Sequence, residues 1–502
     1  MIKILDIKVM IATLLRQRVI RNSFFNTGSS VINILVALIS TPFIVKKLSL
    51  EGYGIYVLLT SLIGYYSLLD LGLGQAVVKY VAEYKAKKDT ISISNSINSA
   101  LFIQIFSGII GSTILIMFSD SVIRILHISN SFYGDVRVAI YFSAVGFFFT
   151  MIGGTFISVL NGLQKYDITS KMNTLINLLQ VLGVIVLLIL GFGIKTIIFY
   201  TATLAIISFC VSIILVKKNI HEWKYSPIPK KKFIKILFNF SGFLFISNIS
   251  NLFSNYLAKF IISFFLGPVS VAYYAIAQKV TIAVGSILYS ASNVLFPYSS
   301  EIGAEADPQK LIQILVKSSK IFTSVSAPLF LIIMAFSKQI LSVWMGIEFA
   351  KNAWPILSIL AFNGLVASST AVPNLLTMGL GYSKIIAKYS IITSVFLITT
   401  LFLFTKMFGV IGTCISMTIS TLPGLFLVYK EVTLIFKMKY RYYYANVYSF
   451  HIIPFVIFLC ALMILNRVEL KNIYSISLIL LSLVSYCLTM FFRNWPPNKL
   501  KY

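Results

Sequence analysis

The sequence predicts an all-α polytopic membrane protein. Fourteen transmembrane helices are expected: two six-helix lobes related by a pseudo-twofold axis, two appended helices, and both termini in the cytoplasm. Three observations carry this expectation: apolar bulk, basic loops biased to one side, and a self-match along the chain. Of 502 residues, 58% are hydrophobic and 11% charged, with a mean hydropathy of +0.90. Soluble chains carry about 25% charged residues, and too few polar side chains remain here to coat a water-soluble surface. Lipid is therefore the expected solvent, which excludes a soluble enzyme or a nucleic-acid-binding module. The net charge of +27 then has to be read by position, as loop lysine rather than a nucleic-acid footprint.

Residues 1–21 interleave Lys3, Lys8, Arg16, Arg18 and Arg21 with Ile and Leu. They read as a cytoplasmic amphipathic segment, not a cleavable signal peptide. Crossing the hydrocarbon core as helix takes about 20 mostly apolar residues. Such spans centre on 24–45, 53–74, 97–118, 138–160, 171–191, 194–216, 238–264, 270–296, 318–337, 354–377, 385–405, 408–429, 447–465 and 473–492. With the N-terminus inside, roughly three times as many Lys and Arg fall on inside segments as on outside ones. Miscounting by one helix would erase that bias.

Cys210, Cys414, Cys460 and Cys487 sit in apolar runs without a C-x-x-C pair, and His127, His221 and His451 are scattered. Neither a disulfide framework nor a metal site is expected, and no cofactor.

The polar stretch 217–235 contains Lys217, Lys218, Lys224, Lys230, Lys231, Lys232 and Lys235 with Pro227 and Pro229. It reads as a cytoplasmic linker between an N-lobe (1–216) and a C-lobe (236–429), with 430–502 appended. Its charge suits anionic head groups and a merely solvated linker equally. A shift of about 218 residues brings the two lobes into step. Ser23 meets Ser241, Asn33 meets Asn251, Leu48 meets Leu266, Tyr56 meets Tyr274 and Phe118 meets Phe336. After a deletion of one or two residues, Gly162-Leu163 meets Gly379-Leu380 and Phe192-Gly193 meets Phe408-Gly409. Six helices per repeat orient both halves alike, the parallel-repeat plan of transporters with a substrate site between lobes.

Polar stripes mark the first helix of each lobe. Asn22, Asn26, Ser29 or Ser30, and Asn33 follow helical spacing in span one; Asn248, Asn251, Asn255 and Lys259 do so in span seven. An amide facing lipid is costly, so these faces point into protein or into a wet cavity. Helix–helix hydrogen bonding explains isolated members; a stripe ending in lysine favours a cavity lining.

Asp70 falls inside span two, with Lys79 beyond it. Lys259 lies roughly 9 Å, and Lys279 roughly 14 Å, from the outer ends of their spans. Snorkelling accounts for Lys79 and Lys259 as well as function does, whereas a midplane lysine such as Lys279 is a functional-site candidate. Asp70 suits either a structural partner of a neighbouring helix or a titrating site. Tyr53, Tyr56, Tyr65, Tyr66, Tyr273, Tyr274 and Tyr289 suit sugar stacking, and all but Tyr289 also suit the interfacial aromatic belt. The residues alone give a transporter of an anionic amphiphile or polar solute.

The segments Gly52-Tyr53-Gly54-Ile55-Tyr56, Leu69-Asp70-Leu71-Gly72-Leu73-Gly74-Gln75-Ala76 and Lys79-Tyr80-Val81-Ala82 resemble the second-helix signature of the polysaccharide transporter family. Leu266-Gly267-Pro268, Tyr273-Tyr274-Ala275-Ile276-Ala277, and Phe296-Pro297 ahead of Glu301 are similar to that family's helix seven–eight region. The family belongs to the multidrug, oligosaccharidyl-lipid and polysaccharide exporter superfamily. The resemblance implies a V-shaped transporter, not an enzyme, with a cavity lined by helices 1, 2, 7 and 8. It implies a flippase that moves undecaprenyl-diphosphate oligosaccharide across the bacterial inner membrane by alternating access, for O-antigen, capsule or exopolysaccharide assembly. Carried over to this sequence, the family's cavity charges correspond to Asp70, Lys259 and Lys279; with Asn33, Asn248, Asn251, Asn255 and Tyr274 from the polar and aromatic faces, these are the expected substrate-binding positions. The further partners are the bilayer, H+ or Na+ as coupling ion, and polymerase and chain-length proteins of the same pathway.

Three rivals remain. A multidrug extruder usually has twelve helices and an acid in helix one, which span one lacks. A lipid II flippase is richer in arginine at its cavity helices. An O-antigen polymerase or lipid-linked glycosyltransferase needs a large outer loop with catalytic groups; the longest here, 119–137, holds Asp120, Arg124 and Asp135.

Overall fold

Uninterrupted apolar runs satisfy their backbone groups internally only as helices, and helix is what they form. The computed structural model describes residues 2–64, 70, 72–252, 256–292, 295, 299 and 308–448. Among the described residues there is no strand, and nine helices are long and apolar enough to cross a membrane. Spans thirteen and fourteen lie, beyond Tyr448, outside the described residues. The chain groups into two compact units, Met1–Ala275 and Ile276–Tyr502.

The first unit contains α1 (Ile2–Gly64), α2 (Leu73–Ala86), α3 (Thr90–Met117), α4 (Ser119–Ile125), α5 (Tyr133–Gly162), α6 (Tyr166–Ile189), α7 (Ile194–Asn219), α8 (Lys231–Leu252) and the start of α9 (Ala258–Ser292). The second contains the rest of α9, then α10 (Pro308–Ala335), α11 (Ser337–Met345), α12 (Ile347–Gly379), α13 (Ser383–Ile435) and α14 (Tyr440–Val447). Three of these helices are broken. In α1 the break is Ser49 (φ 64°, ψ 169°), in α9 Gly267 (φ 77°, ψ 175°) and in α13 Gly409 (φ 61°, ψ −144°). The first two fall at the expected gaps between spans one and two and between spans seven and eight; Gly409 lies just inside the expected start of span twelve. Ser49 accepts a hydrogen bond at Oγ from the Gly52 N–H (3.3 Å) and so caps the segment that follows. After Gly267 the same place is taken by Pro268, which suits a first helical turn.

Apolar side chains point outward as well as inward. On α6, Leu175, Leu179, Leu182, Val186 and Ile189 are exposed at alternating steps of four and three, forming one stripe. Phe102, Phe106 and Ile109 begin a similar stripe on α3, and Ile391, Val395 and Phe402 on α13. Bands of this size are foreign to soluble monomers and mark lipid-facing surface. The first unit's core is built from Leu73, Val77, Ile97, Phe156, Leu160 and Trp223, on α2, α3, α5 and the segment after α7. The second unit's main cluster joins Leu315, Val372, Leu376, Tyr429, Phe436 and Tyr443.

Helix boundaries recur at the self-match offset. Helices α3 and α10 end at matching residues, Met117 and Ala335. Phe118 (φ −99°, ψ 15°) and Phe336 (φ −105°, ψ 22°) make the same joint before α4 and α11. Ser49 and Gly267, the breaks in α1 and α9, match as well. One residue out of step, α5 and α12 end on the same C-terminal motif. Lys165 N–H bonds Leu160 C=O (2.9 Å) across a left-handed Gln164, and Tyr382 N–H bonds Thr377 C=O (3.1 Å) across a left-handed Gly381.

Candidate substrate-binding site

Span two does not run straight through Asp70. Gly72 adopts a left-handed conformation (φ 75°) and α2 starts at Leu73. Asp70 lies just before that start. Its main-chain oxygen accepts from Leu73 N–H (2.8 Å) and its Oδ2 from Gly74 N–H (3.3 Å). A carboxylate here satisfies otherwise unpaired amides and complements the helix dipole. The Gln104 amide of α3 donates to Asp70 Oδ1. Gln104 is itself buried, and its Oε1 has no hydrogen-bond partner among the described residues. The backbone, and the side chain of a neighbouring helix, thus hold Asp70 by both carboxylate oxygens.

The remaining positions are distributed. Asn33 sits on α1, partly buried, with Oδ1 enclosed and unpaired among the described residues. Asn248 and Asn251 lie on α8, where the backbone alone is described, and Asn255 lies outside the described residues. Lys259 is partly buried, its Nζ 5.6 Å from the centre of the Tyr256 ring. That ring is in turn pressed against α1: a Cβ on Gly64 would lie 2.5 Å from Tyr256 Cε1. Tyr274 is fully enclosed, and Lys279, further along α9, is partly buried.

Lys79 is exposed, with Nζ 4.1 Å from the Phe240 ring centre and 4.8 Å from that of Tyr80. The structure therefore brings together Asp70 with Gln104, Lys259 with Tyr256, and Lys79 with Phe240. The sequence reading did not single out Gln104 or Tyr256. A glutamine within an apolar span was the available signal for the first; for Tyr256 there was only its place three residues before Lys259.

Close backbone packing marks the α1–α9 contact within the first unit. A Cβ on Gly54 would lie 1.9 Å from the Pro268 carbonyl oxygen, so only glycine fits. Ser263 Oγ of α9 donates to Leu126 C=O (2.7 Å), and the His127 ring meets Phe264 edge-on. Asp120, in the first turn of α4, accepts from Tyr133 Oη (2.9 Å) and pairs with Arg137 (3.2 Å), fastening α4 to α5.

Residues 19–303 match the model of a family described as "Polysaccharide biosynthesis protein". The chain belongs to this family. A Shigella flexneri relative named "Putative O-antigen transporter" is 26% identical over 416 residues, 80% of this chain and 94% of that protein. A Haloferax volcanii relative, "Probable low-salt glycan biosynthesis flippase Agl15", is 21% identical over 379 residues, 75% of this chain and 76% of that one. The family member also shares a fold with solved structures. The lipid II flippase MurJ in an inward closed conformation superposes with a TM-score of 0.69 at 15% identity, covering 94% of this chain and 98% of that one. An inward-facing MATE multidrug transporter of the MOP superfamily gives 0.66 at 13%, covering 81% and 98%. The fold is that of the multidrug, oligosaccharidyl-lipid and polysaccharide exporter superfamily.

Proposed function

We propose that the chain is a flippase of polysaccharide biosynthesis that moves undecaprenyl-diphosphate-linked repeat units across the bacterial inner membrane by alternating access. The observation that carries this reading is the relation to an O-antigen transporter over 80% of the chain. The recurrence of helix boundaries along the chain supports the two-lobed arrangement: N-lobe 1–216, linker 217–235, C-lobe 236–429 and appended helices in 430–502. Fourteen crossings with both termini inside fit the positive-inside bias.

In this reading Lys259 and Lys279 hold the diphosphate as compact point charges. Asn33, Asn248, Asn251, Asn255 and Tyr274 line the path of the glycan, and the prenyl tail stays in lipid. Tyr274, enclosed as it stands, reaches cargo only in another state of the cycle. Asp70 couples the cycle to H+ or Na+ while its contacts with Gly74 and Gln104 change. Polymerase and chain-length proteins of the same pathway act on the delivered units. The enzymatic reading is disfavoured at Asp120, which is occupied by Tyr133 and Arg137.

The test is transport of a fluorescent lipid-linked oligosaccharide by the purified chain in sealed vesicles, under imposed proton or sodium gradients. Gradient-dependent translocation, lost in Lys279→Ala, is expected. Normal gradient-driven transport by Asp70→Asn sinks the coupling role; absence of any translocation by the folded wild type sinks the flippase.

A further inference from the structure

The segment between α7 and α8 is fastened down, not slack. Ile220 and Trp223 are buried in the first unit's core. Asn98 of α3 clamps the segment reciprocally: its Oδ1 accepts from Trp223 Nε1 (3.2 Å) and its Nδ2 donates to Lys224 C=O (3.0 Å). Outward from this clamp, Lys224, Lys230, Lys231 and Lys232 are all exposed. Between them stand Tyr225, 57% exposed, and Ile228, 79% exposed. Glu222 is the only acid in 217–235.

The second unit closes its repeat similarly. After α13, α14 folds back so that Tyr443 Oη donates to Ser319 Oγ of α10 (3.0 Å), with Tyr443 and Val447 buried. Lys437, Lys439 and Arg441 face outward there, beside a half-exposed Tyr444.

We propose that each of these basic-aromatic straps docks on anionic phospholipid head groups at the membrane face where its own helix, α7 or α13, ends. Charge complementarity selects the partner: lysines and arginines with almost no acid among them face a negative leaflet, each gaining roughly fivefold in local binding. The apolar tips select its depth. Tyrosine and isoleucine beside lysine suit the layer where head groups meet acyl chains. A linker kept only for solubility would gain nothing from an exposed Ile228, nor from a buried clamp that holds it in place. This inference rests on the membrane-spanning reading of the chain and is independent of what the cargo is.

The full-length protein, delipidated in detergent, is titrated with phosphatidylglycerol, and bound lipid is counted by native mass spectrometry. Transport is measured in parallel in vesicles of phosphatidylcholine alone or with about one-third phosphatidylglycerol. The wild type is expected to retain phosphatidylglycerol at 0.1 M salt and lose it at 1 M, where screening shortens to about 3 Å. The variant K224Q/K230Q/K231Q/K232Q should bind it at least about tenfold more weakly while transporting normally in phosphatidylcholine alone. Y225S/I228S should bind more weakly yet keep the salt dependence. Equal retention by wild type and the lysine variant overturns the proposal. So does wild-type retention indifferent to salt, a readout that needs no variant to fold. A transport loss in the lysine variant that is equal in both vesicle types also overturns it, assigning the lysines to the cargo's diphosphate instead. Failure of transport in every vesicle with lipid retention intact sinks the flippase reading alone.

Discussion

Asn98→Ala isolates the clamp that sets the first strap. The side chain makes two hydrogen bonds, to Trp223 and to Lys224, and both Asn98 (5% exposed) and Trp223 (6%) are buried. Truncation strands the indole N–H and the Lys224 carbonyl. A buried polar group left unpaired costs about 1–3 kcal/mol. Lys224 is exposed, so water offsets part of the cost at its carbonyl, and the expected loss is about 2–4 kcal/mol. In thermal unfolding of the full-length, 502-residue protein in detergent this is a fall of roughly 2–4 °C. Trypsin should cut after Lys224 and Lys230–232 faster than in the wild type, because the strap is no longer tied to α3. Trp223→Phe keeps an aromatic ring beside Phe156 but removes the donor and shrinks a buried side chain, for about 1–3 kcal/mol. The double variant should cost less than the sum, since the two single changes delete a shared bond. Wild-type melting and wild-type cleavage in Asn98→Ala would refute the reasoning.

Gly54→Ala should destabilise by about 1–3 kcal/mol or more, since its methyl would meet the Pro268 carbonyl at 1.9 Å; an unchanged melt would mean that α1 and α9 do not approach so closely. Lys279→Ala should abolish vesicle transport while Asp120→Ala retains it and only lowers stability; the reverse pattern favours an enzyme. Asp89 caps α3 through the Ser92 N–H (2.9 Å), and its hydrogen bonds to Ser92 hold its carboxyl below the ordinary carboxylate range. Its stabilisation is therefore present above the unfolded-state value of about 3.9 and lost as pH falls through the lower folded value. Amide exchange at Ser92 and Ile93, corrected for intrinsic rates, should show fraying only on acidification, and not at all in Asp89→Asn.

Much of the helical plan was legible because lipid imposes a long apolar period that local sequence cannot disguise. The breaks at Ser49 and Gly267 coincide with gaps between the expected spans, whereas Gly409 breaks its helix just inside expected span twelve. Where sequence reading fell short, tertiary geometry decided. Asp70 appeared as a charge within a span because Leu68–Leu73 is apolar around it; the left-handed Gly72 turns the same residue into a helix-start partner. Gly72 and Gly74 were visible, but which glycine breaks the helix depends on what packs beside it, here Gln104 and Ser158. Asn98 gave no signal, since its partners lie more than a hundred residues away. Tyr274 read as a cavity aromatic, and its enclosure follows from α9 packing that no periodicity reveals.

The elbows at Ser49 and Gly267 carry a mechanical consequence. A continuous helix resists bending because each degree of tilt stretches rungs of its ladder. At these two residues the ladder is already interrupted, and the rung is replaced by a serine hydroxyl in one case and by a proline that needs none in the other. Pivoting there spends torsion, not backbone pairing. The two matching breaks thus sit against one another through Gly54 and Pro268, so a change of angle at one is passed to the other without unwinding the rods on either side.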